Sequence, residues 1–158
     1  MSDVHVLSQA AYERLKAEHD DLTTRGRIEI AQAIERAREL GDLSENGDYH
    51  AAKDQQGWME ARIREIEKVL KDVEVVEVVD EGVVGPGTVV TILYEGDDED
   101  QAERYLLGHI EERNDTFDVI SPGSPLGAAL VGGTAGDWVE YEAPNGTLRV
   151  RILAVGAP

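Results

Sequence analysis

From Tyr49 onward the seam residues advance by three and four in strict alternation: Tyr49, Ala52, Gln56, Met59, Ile63, Ile66, Leu70, Val73. That spacing is the heptad signature of a helix wound against a partner helix. Gln56 is its one polar member, and a polar seam residue can fix register. The outer positions carry mixed charge, among them Arg62, Arg64, Glu65, Glu67 and Lys68.

The partner lies upstream. Residues 8–40 read as one long helix with a stripe at Tyr12, Leu15, Leu22, Ile30, Ile34, Ala37 and Leu40, and with Ser8 as its N-cap. His19 and Gly26 interrupt the stripe, so the middle of this helix is its weak part. A short connection containing Gly41 and Gly47 requires the two helices to run antiparallel. At ~1.5 Å per residue, about thirty residues make a rod of ~45 Å. From heptads alone the favoured reading is a generic helical hairpin.

After Val73 the period changes to two and turn residues multiply. Strands are expected at 88–94, 102–107, 116–121, 138–142 and 147–155. Val75-Val76 and Val78-Val79 sit among acids. Asn145-Gly146 is expected as a two-residue hairpin turn. A short helix is expected at 125–131, with Ser124 as N-cap and Pro125 in its first turn. The fold class is therefore α+β. An antiparallel helical hairpin (1–75, with an acidic tip at 41–47) precedes a small antiparallel sheet domain with one short helix (80–158).

Charge divides the chain at the same place. Residues 1–73 carry 16 acidic and 11 basic side chains, and residues 74–158 carry 17 acidic and only 4 basic ones. With a net charge of −18, the surface repels phosphate backbones, so autonomous high-affinity binding of DNA or RNA is not expected. A basic protein surface is a better partner. There is no cysteine, hence no disulfide or thiolate chemistry. No apolar run reaches the length of a membrane span, and a soluble cytoplasmic protein is expected. Four histidines, His5, His19, His50 and His109, show no metal-ligand spacing; His50 reads as a packing or tip-supporting residue. Trp58 and Trp138 read as packing residues.

The connection holds two carboxylates three positions apart, Asp42 and Glu45. Magnesium takes hard oxygen ligands in an octahedron and commonly uses one or two protein carboxylates. Such a pair cannot cage the ion alone, but it can complete a site held by another protein. The plain alternative is that Asp42 is a turn residue and that Glu45 favours the start of the second helix.

The segment GDLSENGDYHAAKDQQG at 41–57 resembles the tip of the bacterial Gre transcript-cleavage factors, of the GreA type. The likeness covers nearly the whole chain, including 34–70, SPLGAALVGG at 124–133 and the APNG turn at 143–146. Gly47-Asp48 stands where Ala-Glu is frequent in that family. The resemblance implies a factor that enters the secondary channel of a backtracked bacterial RNA polymerase and stimulates the polymerase's own cleavage of the 3′ RNA, without being an enzyme itself. It implies Asp42 and Glu45 as the tip acids that share a magnesium ion with the polymerase. Asn46 and Tyr49 would orient the acids or touch the RNA end, with Leu43 at the end of the rod. Arg36, Arg38 and Lys53 would contact RNA or polymerase near the active centre. The second domain would be FKBP-like, without prolyl isomerase activity, and would dock on the channel rim through Ser124, Pro125, Leu126 and Gly127. A monomer is expected. Rival readings are a channel-binding regulator that inhibits without cleavage, and a coiled-coil adaptor or chaperone.

Overall fold

A computed structural model describes residues 4–42, 45–77 and 81–158. Contacts divide the chain into two compact units, one of Tyr12–Asp72 and one that joins Val4–Ala11 to Val73–Pro158.

The first unit is the helical hairpin. Its first arm runs through α1 (Gln9–Asp21), a π-helical turn at Leu22–Gly26 and α2 (Arg27–Arg38). Its second arm is α3 (Gly47–Lys71). The weak middle expected from His19 and Gly26 is where the π turn sits. Leu22 and Ile30 are eight residues apart, one more than a heptad, and the wider turn absorbs the extra residue. Thr23 and Thr24 help by donating their hydroxyls to the carbonyls of His19 (2.7 Å) and Asp20 (2.6 Å). Gly26 lets Met59 of α3 approach, since a Cβ there would lie 3.1 Å from the Met59 sulfur.

Ala52, Ile63 and Ile66 of the heptad seam are buried, with Ile30 and Ile34 across from Ala52. Fully burying an Ile contributes about 1.5–3 kcal/mol. The seam ends differently from the sequence reading. Val69 takes the buried place and Leu70 is only half-buried, while Val73 has left the helix for a strand. Interhelical ion pairs flank the seam: Arg62 to Glu18 (2.7 Å), Arg27 to Glu60 (2.9 Å) and His19 to Glu67 (3.2 Å). Trp58 departs from its expected packing role and is 71% exposed.

The second unit is built on a five-stranded sheet in the order β5-β4-β3-β7-β6. The strands are β3 (Val89–Tyr94), β4 (Glu103–Leu107), β5 (Asp118–Ile120), β6 (Trp138–Ala143) and β7 (Gly146–Gly156). All five expected strands are present, but β4 and β5 run parallel, so the sheet is mixed. The short helix α4 (Pro125–Leu130) sets Leu130 into a core of Val84, Val90, Ile92, Leu107, Val150 and Ile152. The β6–β7 hairpin closes one residue earlier than expected. Ala143 pairs with Gly146, which leaves Pro144 and Asn145 as the turn. Proline's fixed φ suits the first central position, and the positive φ (131°) falls on Gly146.

A two-stranded parallel sheet completes this unit. β1 (His5–Ser8) pairs with β2 (Val73–Val76). β1 leads into α1 and β2 leaves α3, so both ends of the hairpin begin in paired strand. Val78 and Val79 lie outside the described residues.

Candidate functional site at the hairpin tip

The first arm stops at Arg38, and Gly41 turns the chain with φ 112°, a conformation that disfavours side chains. The second arm starts on Asn46, whose extended backbone (φ −86°, ψ 99°) is that of an N-cap. Asn46 does two jobs at once. Its Oδ1 accepts from the Tyr49 amide at 3.0 Å, and its Nδ2 donates to the Ala37 carbonyl at 2.6 Å. One side chain thereby satisfies a free amide of α3 and adds a second donor to the Ala37 carbonyl, which also accepts from the Leu40 amide, and so clamps the two arms at the turn.

Asp42 and Glu45 are exposed and line one open concavity with Leu40, Asn46, Gly47 and Asp48. Leu43 and Ser44 lie outside the described residues. Asp48, in the first turn of α3, adds a third acid to the rim and favours the positive end of that helix. The donors present are hard carboxylate oxygens, the ligand type magnesium takes. Among the described residues no group of three or more His, Asp or Glu is arranged to hold a metal ion. One or two carboxylates are what a protein commonly contributes to a magnesium ion.

The remaining tip residues fall into two classes. Tyr49 is half-buried, packs on the Ile30, Ile34 and Ala52 cluster, and meets the His50 ring edge-on at 5.7 Å. Its amide is the one that Asn46 caps, and His50 is exposed beside it. Arg36, Arg38 and Lys53 are exposed. Arg36 lines a shallow groove with Ala33, Ala37, Leu40, Asp48, Ala51, Ala52 and Gln55 on the flank of the tip. Lys53 donates to Gln56 at 2.9 Å.

Ser124, Pro125, Leu126 and Gly127 belong to the other unit. The Ser124 Oγ accepts from the Gly127 amide (3.1 Å) and donates to the Ser121 carbonyl (2.7 Å). A Cβ on Gly127 would lie 1.9 Å from the Ser121 oxygen, so no other residue fits. Pro125 is exposed, while Leu126 packs against the core. The turn is thus a rigid corner with one exposed face.

A polar cluster in the second unit escaped the sequence reading. Glu112 is buried, and its carboxylate accepts from the Ser8 amide (2.7 Å) and the Ser8 hydroxyl (2.9 Å). Ser8 also accepts from the Ala11 amide at 3.2 Å, as its expected capping role requires. Next to it, His109 Nδ1 accepts from the Glu111 amide (3.1 Å), which places the ring proton on Nε2, 3.0 Å from His5 Nδ1. Burial, and then the neighbouring His5, depress the His109 pKa below 6.5. The only sequence hint was a pair of acids flanked by Ile110 and Arg113, which reads as solvated surface.

Comparison with known proteins gives this architecture a family. The model of the GreA/GreB transcription elongation factor N-terminal domain matches residues 5–75, and that of the GreA/GreB C-terminal domain matches 79–157. The chain is 46% identical to a transcription elongation factor GreA from Saccharopolyspora erythraea, over 97% of this chain and 96% of that protein. It is also 46% identical to one from Streptomyces coelicolor, over 93% and 90%. Among solved structures, Gfh1 of Thermus aquaticus matches over 98% of this chain and 99% of its own, with 27% identity and a TM-score of 0.45. With both domain models matched in order and near-complete coverage at this identity, the chain belongs to the GreA/GreB family of transcription elongation factors, which act on RNA polymerase.

Proposed function

We propose that this protein stimulates transcript cleavage by a backtracked RNA polymerase, with the hairpin reaching the active centre through the secondary channel. The observation that carries the reading is the tip. Asp42 and Glu45 line one concavity on a turn that Asn46 locks to both arms. A loose turn would lose the orientation of its carboxylates to thermal motion. A clamped one presents both oxygen sets in fixed relation.

Magnesium, when shared with the polymerase, would activate water and stabilise the leaving oxygen of the RNA. Asp42 and Glu45 would supply the ligands that the polymerase lacks, and the polymerase would provide the rest of the catalytic site. Arg36, Arg38 and Lys53 would hold the extruded RNA strand by its phosphates. The Ser124–Gly127 corner would bear on the channel rim.

The test is cleavage on a defined backtracked complex with magnesium titrated. Shortened 3′ RNA with the unaltered protein, and none with Asp42→Ala or Glu45→Ala at saturating protein, supports the reading. Equal cleavage by all three overturns it. Arrest of synthesis without shortening assigns the protein to inhibition instead.

A further inference from the structure

The seam of the hairpin is packed at two heights and not between them. Near its base Leu15, Ile63 and Ile66 are buried, and toward its tip Ile30, Ile34 and Ala52 are. Among the described residues, 16–29 of the first arm and 53–62 of the second hold no buried side chain. The two stretches face each other: Arg27 pairs with Glu60 at 2.9 Å, and Arg62 with Glu18 at 2.7 Å. Gly26 opposes Met59 there, and the seam residue Gln56 is polar; all three are half-buried. Few buried apolar contacts mean low local stability.

Each arm is also softened within this gap. In the first, the π turn at Leu22–Gly26 contains no buried residue. Its Thr23 and Thr24 hydroxyls each bond a carbonyl four residues back, a pattern that loosens and bends helices. Sharp helix kinks occur at π turns. In the second arm, Gly57 stands two residues from Met59 and is exposed. Its backbone is helical, and a Cβ there would meet nothing within 4 Å. Neither a turn nor a close approach requires glycine at this place, so its effect is to weaken α3.

We infer that the hairpin has a joint at this height, at which the tip segment carrying Asp42 and Glu45 swings relative to the base while both segments stay packed. Soft points at different heights would not act together, because the intact arm beside each would splint it. At one height the two arms bend as a unit. From Gly26 to the end of α2 at Arg38 the arm rises roughly 18 Å, so a bend of about 20° carries its end roughly 6 Å sideways. The surface ion pairs that bracket the joint oppose this little. Such a joint lets the tip acids settle against a partner without shifting the base. It rests on the hairpin's packing and not on cleavage being the tip's task.

The experiment is amide hydrogen exchange of the full-length protein, resolved by residue. Amides of 22–28 and 54–60 should exchange faster than those of 14–20 and 62–68 on the base side and those of 30–36 on the tip side. Gly57→Ala fills open space and strengthens α3. It should slow exchange about fivefold in both stretches, 22–28 included, and leave 30–36 within about twofold, because a splint on one arm restrains the other. Protection that falls evenly from base to tip removes the joint. Slowing confined to 54–60 shows two independent soft points, and equal slowing along the whole hairpin shows a global gain in stability; each of these results overturns the proposal. Exchange is read on the free protein, so its outcome is distinct from that of the cleavage assay.

Discussion

Carboxylates at two places in this molecule receive opposite treatment. At the hairpin tip, Asp42 and Glu45 are exposed on a turn held by a neighbouring amide. In the second unit, Glu112 is buried and both of its oxygens accept from one residue, Ser8. The first arrangement sets the carboxylates at the surface, where an outside ligand can reach them. The second consumes them to hold a strand in place. Acidity in the sequence is the same in both; surroundings decide whether an acid acts on a partner or on its own fold.

The largest expected effect tests the first half of that contrast. Asp42→Ala or Glu45→Ala should lower cleavage stimulation by about 10²–10³-fold, the scale of losing a metal ligand in the transition state. Thermal melting should stay within about 2 °C of the parent, as surface substitutions normally do. Next comes Glu112→Ala. It should destabilise the protein by about 1.5–3 kcal/mol in urea unfolding, since the Ser8 groups lose a charged acceptor, while cleavage at saturating protein should be unchanged. A stable Glu112→Ala, or a tip variant that melts early, would erase the distinction.

Asn46→Ala lies between the two. Loss of the cap and of the bond to Ala37 should cost about 1–2 kcal/mol and also reduce cleavage, because the acids lose their fixed setting. Asn46→Asp keeps the cap acceptor but not the donor, so it should recover stability more than activity. The smallest effect is one of pH. His109 is held neutral, with its pKa depressed below 6.5 by burial and then by His5. The folded state therefore binds fewer protons than the unfolded one. The contribution is full above about pH 6.5 and is lost as pH falls below it. His109→Gln, followed by urea unfolding between pH 8 and 5, should flatten that decline.

The hairpin was legible because its signals are local. The alternating seam from Tyr49, the glycine connection and the cap at Ser8 each sit within a few residues of what they determine. The strands of the five-stranded sheet were legible for the same reason. The parallel β4–β5 pair was not, because pairing direction depends on the path of the chain between strands. β1 escaped notice altogether, since four residues carry little periodicity and their partner begins at Val73, far along the chain. The hairpin turn was misplaced by one residue because Asn-Gly is the stronger general signal, yet Pro144 already supplies the φ of a turn. At the tip, the sequence put both acids in the turn but gave only half of how that turn is held. Asn46 was read as a neighbour that orients or touches. Its two hydrogen bonds, one of them nine residues back along the chain, show it as the fastening itself.

The π turn at Leu22–Gly26 has a consequence for how such a hairpin tolerates change in length. Its surplus residue works like a leap day, restoring phase between a stripe that begins near Leu15 and one that resumes at Ile30. Deleting Thr24 would leave Leu22 and Ile30 one heptad apart. An unbroken α-helix would then hold Leu15 and Ile30 on one face, and the wide turn would have nothing left to absorb.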